Sequence, residues 1–149
     1  MIYLKTDEEV ELMRRSNDLL GRTLAEIAKV IRPGVTTAEL DKVAYEFICD
    51  NGGIPSCLGY EGYPATLCTS VNEQVVHGIP SDKVILKDGD IVSVDTVVNL
   101  GGFCADSAYT FPVGEVAPEV LQLMRTTKQA LYLGIEQAIT GRRLGDIGA

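Results

Sequence analysis

Two stretches near the N-terminus place apolar residues at helical spacing. The first begins with Thr6 and Glu9, which have the spacing of a capping box, and ends at Arg32-Pro33-Gly34. The second begins with another such pair, Thr36 and Glu39, and ends at Asn51-Gly52-Gly53. The sequence therefore predicts two amphipathic helices, each with one apolar face. The apolar positions are Val10, Met13, Leu19, Leu20, Leu24, Ile27, Val30 and Ile31 in the first, and Leu40, Val43, Ala44, Phe47 and Ile48 in the second.

The middle of the chain changes to β-type patterning. Residues 54–80 are rich in glycine, proline and tyrosine, and they contain two short β-like runs, 66–71 and 74–77. This pattern predicts a loop followed by a hairpin. After the turn signal Asp88-Gly89, two longer runs of β-formers, 90–98 and about 103–111, predict a second antiparallel pair.

A third helix is predicted over roughly 117–139, because Pro118 fits the first turn of a helix. The last residues, LGDIGA, have the pattern of the beginning of a fourth helix. Helices followed by strands and then a helix predict an α+β fold, with an antiparallel sheet covered by helices. We expect residues 1–149 to form a single domain that is truncated at the start of that last helix.

Composition narrows the class of protein. The net charge of −8 argues against nucleic acid as the main partner. No apolar run approaches the ~20 residues that span a bilayer, and the acidic, mixed N-terminus does not have the pattern of a signal peptide. The four cysteines include no CxxC pair and match no disulfide framework. We therefore expect a reduced, cytoplasmic protein that binds neither nucleic acid nor membrane.

Asp95 and Asp106 lie one in each arm of the hairpin formed by the two longer strands. If the hairpin turns at Leu100-Gly101, the two aspartates lie directly opposite each other, with Cβ atoms ~5 Å apart. Two carboxylates at this separation repel each other, and a bound divalent cation would relieve the repulsion. A turn at Gly101-Gly102 would instead place Asp95 opposite Ala108, and both aspartates could simply face solvent.

The runs DGDIVSVD and GFCADSAYTFPVG resemble the metal-binding hairpin of type I methionine aminopeptidases. The upstream runs CLGYEGYP and CTSVNEQVVHGIP resemble the substrate-pocket and histidine segments of that family, and LGDIGA resembles the start of a later helix. The resemblance extends over essentially the whole chain, in order. It implies the N-terminal half of a pita-bread fold and the metal-dependent removal of initiator methionine from new proteins and peptides.

The resemblance also implies roles for individual residues. Asp95 and Asp106 would be ligands of two divalent metal ions, of Co, Mn, Fe or Zn, and His77 would hydrogen-bond the scissile amide of the substrate. The pocket for the methionine side chain would consist of Cys57, Tyr60, Tyr63 and Cys68, which suits a polarizable thioether. The backbone carbonyls of Asn72 and Gln74 would hold Na or K in some members.

Each of these residues also has a structural interpretation. His77 could be an ordinary loop histidine, the two tyrosines could be packing or turn residues, and the cysteines could be small buried hydrophobes. Cys104 lies two residues before Asp106, where many family members have a different residue, and we assign it no role.

The family's metal site uses five protein ligands, and the histidine and two glutamates among them come after the last residue of this sequence. We therefore expect the chain to be inactive on its own, or nearly so, and to expose an apolar face that invites self-association or a complementing chain. Two other functions compete with the aminopeptidase: a non-catalytic pita-bread module that binds protein partners, and a relative that cleaves X-Pro bonds.

Overall fold

A computed structural model describes residues 3–149 of the chain, which form two compact units. The first unit ends at Glu115 and contains the helices α1 (Asp7–Val30) and α2 (Thr37–Asp50). It also contains the strands β1 (Ile54–Pro55), β2 (Cys68–Val71), β3 (Ile91–Leu100) and β4 (Phe103–Pro112). The second unit, Val116–Ala149, contains α3 (Pro118–Gln137) and the short α4 (Leu144–Ile147), which pack against each other.

Both predicted capping boxes form. The Thr6 and Thr36 hydroxyls accept the backbone N–H groups of Glu9 and Glu39, and each glutamate accepts the N–H of its threonine in return. Each pair satisfies backbone groups that the first turn of a helix leaves without partners. The predicted starts of α1 and α2 are therefore confirmed. No helix within residues 3–149 has the length and apolar character needed to cross a membrane.

β3 is the central strand of an antiparallel sheet. β4 pairs along its whole length, β2 pairs with residues 92–95, and β1 pairs with residues 98–99. Alternate residues of β3, including Val94 and Val98, are fully buried beneath α1 and α2. The predicted α+β architecture is confirmed, and the other face of β3, which includes Asp95, is only partly buried.

The predicted hairpin between the runs 66–71 and 74–77 is wrong. Only the first run contains a strand, β2, and this strand pairs with β3. Residues 74–77 are not in a strand, because positive φ angles at Asn72 (51°) and His77 (60°) turn the backbone away from extended geometry. The β-branched pair Val75-Val76 therefore lies exposed in a loop.

Candidate active site

The β3–β4 hairpin turns at Gly101-Gly102 rather than at Leu100-Gly101. Leu100 pairs with Phe103, and both glycines have positive φ, 63° and 91°. A two-residue hairpin turn of this kind needs positive φ at both central positions, which glycine adopts at little cost and leucine does not. Asp95 therefore pairs with Ala108, and the prediction that it lies directly opposite Asp106 is wrong.

Asp95 and Asp106 nevertheless lie on the same face of the sheet. Val97 pairs with Asp106, and Val97 is two residues from Asp95, so the two aspartates are diagonal neighbours. Diagonal Cα atoms in an antiparallel pair are roughly 7–8 Å apart. Burial raises the pKa of Asp95, and the negative charge of Asp106 raises it further. The charge of Asp106 thus acts on Asp95 across one face of the sheet.

Two thiols are positioned by the opposite edge of β3. Cys68 opens β2 and pairs directly with Asp95. Cys57 follows β1, and the neighbouring Ser56 N–H donates to the Val97 carbonyl at 2.8 Å. The chain therefore leaves the edge of β3 near Val97 and returns at Asp95, with one cysteine at each point. Burial is the main cause that raises the pKa of both thiols, so both stay protonated at neutral pH.

The loop between Cys57 and Cys68 contains the two tyrosines. Tyr60 begins a short 3₁₀ turn, Tyr60–Gly62, and the residue is 70% exposed. Tyr63 is half-buried, and its hydroxyl lies 2.9 Å from the Leu67 carbonyl oxygen and 3.2 Å from the Gly78 carbonyl oxygen. Burial and the adjacent Cys68 thiol raise the pKa of Tyr63 well above its ordinary value. The neutral phenol is therefore the form that donates.

His77 reaches the site from a strained loop position. Its φ of 60° is unusual for a residue that carries a side chain. The next residue, Gly78, is buried, and a Cβ there would overlap the Thr69 carbonyl oxygen and lie 2.7 Å from Gln74 Oε1. This close contact between the loop and β2 fixes the position of the imidazole. The His77 side chain is near enough to Asp95 to lower the pKa of that carboxyl group.

These side chains line one cavity of about 570 Å³. Seven residues singled out in the sequence border it: Cys57, Tyr60, Tyr63, Cys68, His77, Asp95 and Asp106. Asn72 and Gln74 are not among its lining residues. The Asn72 amide instead donates to Asp90 at 2.8 Å and accepts the Ile91 N–H at 3.0 Å, and the Gln74 N–H donates to the Val71 carbonyl at 3.1 Å.

Sequence reasoning missed five lining residues, Glu61, Gly62, Pro64, Ile79 and Val97. Val97 could have been found from strand alternation, because it lies two residues beyond Asp95 and must share its face. The other four belong to segments outside the α-helices and strands, and no periodic signal marks their orientation.

The arrangement fits a divalent cation in part. Carboxylate oxygens are hard ligands, and no lysine or arginine of the described chain forms an ion pair with Asp95 or Asp106. The sheet therefore presents negative charge that a cation could neutralise. Within residues 3–149, however, no group of three or more histidine, cysteine, aspartate or glutamate side chains is placed to hold a metal ion.

Comparison with known proteins agrees with this geometry. The model of metallopeptidase family M24 matches residues 11–149. A methionine aminopeptidase of Clostridium acetobutylicum is 47% identical over 147 residues, which are 99% of this chain and 59% of that relative. The crystal structure of methionine aminopeptidase from Rickettsia prowazekii superimposes with a TM-score of 0.96 at 40% identity, over 99% of this chain and 59% of that one.

The chain thus spans about 59% of the length of the relatives that it matches. An Xaa-Pro dipeptidase from Bacillus anthracis also aligns, with a TM-score of 0.75 over 91% of this chain and 36% of that one. At 22% identity this likeness shows the fold alone. The family match, the fold and the paired carboxylates agree, and the chain belongs to metallopeptidase family M24.

Proposed function

We propose that residues 1–149 form the first part of the catalytic domain of a methionine aminopeptidase, which removes the N-terminal methionine from peptides and nascent chains. One observation carries the proposal: two carboxylates, an imidazole, two thiols and two tyrosines from four separate segments line one cavity. The Clostridium and Rickettsia proteins, both called methionine aminopeptidases, support this choice among the activities of the family.

In this proposal Asp95 and Asp106 hold divalent metal, of Co, Mn, Fe or Zn, since carboxylate ligands discriminate little among these ions. Two bound divalent ions would supply Lewis-acid activation of water and of the peptide carbonyl. The diagonal position of the two carboxylates on one face of the sheet supports this assignment.

The other cavity residues orient the substrate. The uncharged thiols of Cys57 and Cys68 and the rings of Tyr60 and Tyr63 form a soft, mainly apolar surface that suits a thioether side chain. The His77 imidazole, held at the cavity by its left-handed backbone, donates a hydrogen bond to the scissile amide. We further propose that Asn72 and Gln74 offer backbone carbonyls to Na or K, supported by the fixed turn in which they lie.

The proposal also includes the cellular compartment of the protein and its association with other chains. All four cysteines are free, which supports a reducing cytoplasm. Leu131, Tyr132, Leu133 and Ile135 of α3 each expose more than half of their surface, which supports self-association or a complementing chain.

Calorimetric titration of Mn²⁺ into the metal-free chain tests the metal assignment. We expect weak binding, because two carboxylates leave most coordination positions to water. Asp106→Asn should abolish the binding heat, whereas Asp82→Asn, an exposed aspartate outside the cavity, should leave it unchanged. Binding that survives both Asp106→Asn and Asp95→Asn would show that the metal lies elsewhere.

Hydrolysis of Met-Ala-Ser, compared with an X-Pro dipeptide, tests the activity. The chain alone should show little steady turnover. Turnover should increase when a polypeptide that carries the family's remaining metal ligands, a histidine and two glutamates, is added. Preference for the X-Pro substrate would contradict the proposal. Steady activity of the chain alone, after contaminating host enzyme has been excluded, would contradict the expected inactivity.

A further inference from the structure

Asp41 is a half-buried carboxylate outside the cavity, on α2. Its Oδ1 accepts two backbone N–H groups, from Thr66 at 2.9 Å and from Leu67 at 2.7 Å. No described lysine or arginine forms an ion pair with it. A carboxylate that has lost part of its hydration without a counter-ion depends on such donors. Asp41 therefore anchors the chain that leads into β2, one residue before Cys68.

Tyr63 contacts the same segment from the cavity side. Its hydroxyl lies within hydrogen-bond distance of two carbonyl oxygens, Leu67 O and Gly78 O. A phenol has one hydrogen, so it donates to one carbonyl at a time and is shared between the two. Leu67 is thus held through both of its backbone groups, its N–H by Asp41 and its carbonyl by Tyr63.

The second carbonyl connects this anchor to the histidine. The Gly78 carbonyl also accepts the Thr69 N–H at 2.7 Å, and the Gly78 N–H donates to Ser70 Oγ at 3.2 Å. Gly78 is therefore docked on β2, and the residue directly before it is His77. Contacts through Leu67, the shared Tyr63 hydroxyl and Gly78 thus lead from α2 to the backbone that aims the imidazole into the cavity.

We infer that Asp41 and Tyr63 are positioning residues, which together hold Cys68 and His77 at their places in the cavity. This role of the Tyr63 hydroxyl is distinct from lining the pocket with the ring. The inference rests on the proposed function, because that function makes the cavity the substrate site. Its test uses no metal, substrate or turnover, so failure of the inference and failure of the proposed function are separable.

Amide hydrogen exchange and the imidazole resonances, measured by NMR on the ¹⁵N-labelled chain at one fixed pH, test the inference. His77 is the single histidine, so its imidazole signals need no further assignment. Tyr63→Phe removes only the hydroxyl and should speed exchange at Thr69 and Gly78 about fivefold to tenfold, as expected for the loss of one hydrogen bond. The imidazole signals should shift, while the core amide of Val98 should keep its exchange rate.

Tyr60→Phe is the matched control, because Tyr60 lines the same cavity and its hydroxyl makes no hydrogen bond to the described residues. Equal exchange rates and equal imidazole signals in Tyr60→Phe and Tyr63→Phe would overturn the role of Tyr63.

Asp41→Ala should speed exchange at Thr66 and Leu67 and shift the same imidazole signals, and it should increase the rate at which iodoacetamide labels Cys68. Asp41→Asn keeps an acceptor oxygen and should restore all three readouts, and Asp50→Asn, at the end of the same helix, should change none. Unchanged imidazole signals and an unchanged rate of Cys68 labelling in a folded Asp41→Ala would overturn the role of Asp41. If the alanine variant does not fold, the same readouts in Asp41→Ser, whose side chain is one atom shorter, decide in its place.

Discussion

Gly78→Ala should destabilise the chain more than an added methyl group does at most positions. The Cβ would overlap the carbonyl oxygen of Thr69 and would lie 2.7 Å from Gln74 Oε1. The φ of Gly78 is not in the left-handed region, so the conflict comes from space and not from backbone strain. The Thr69 carbonyl belongs to a strand paired with β3, and it cannot move without disturbing that pairing.

The size of the effect follows from the contacts that must separate. Moving Gly78 away from β2 breaks the bond from Thr69 N–H at 2.7 Å, the bond to Ser70 Oγ at 3.2 Å and the contact with the Tyr63 hydroxyl at 3.2 Å. At a net value of about 1 kcal/mol each, the free energy of unfolding should fall by about 2–4 kcal/mol. Forcing extra atoms into a packed site costs a similar ~1–3 kcal/mol.

Urea unfolding followed by far-UV circular dichroism measures this loss as a shift of the midpoint at an unchanged slope. Gly21→Ala is the control, because Gly21 is an exposed residue of α1 with no atom within 4 Å of an added Cβ. That variant should be more stable than wild type by about 0.5–1 kcal/mol, since alanine favours the helix. A Gly78→Ala chain within about 0.5 kcal/mol of wild type would refute the reasoning, because the loop would then yield at little cost.

Three further results are expected. Burial raises the pKa of the Cys57 and Cys68 thiols, so iodoacetamide at about pH 8 should label exposed Cys49 faster than either of them. The difference in labelling rate should become smaller as the pH rises, and equal rates at about pH 8 would contradict this. Burial also raises the pKa of Asp41, so its contribution to stability is full below the unfolded pKa of about 3.9 and is lost as the pH rises through the folded pKa. Asp41→Asn should therefore gain stability relative to wild type as the pH rises above the unfolded pKa of about 3.9, and a pH-independent difference in urea midpoint would exclude this linkage. Thr36→Ala should cost about 1 kcal/mol through loss of the α2 cap, with Thr36→Ser retaining most of it in the same assay.

The sequence by itself determined the features that depend on neighbours within a few residues. Capping pairs fixed the starts of α1 and α2, because a threonine and a glutamate three residues later satisfy each other's backbone groups wherever the helix packs. The glycines near the turn limited the β3–β4 hairpin to two registers, and the structure decided between them through the positive φ angles of Gly101 and Gly102.

Only the tertiary structure decided which distant segments meet. The run 74–77 has strand-forming residues and yet lies in a loop, because β2 finds its partner in β3 instead. Asp41 gave no signal in the sequence, since an aspartate on a helix surface is ordinary until a strand end docks on it. The cavity joins residues 57–68, 77, 95 and 106 through pairing along both edges of one strand. Such pairing is set by long-range burial and hydrogen bonding, and no local pattern encodes it.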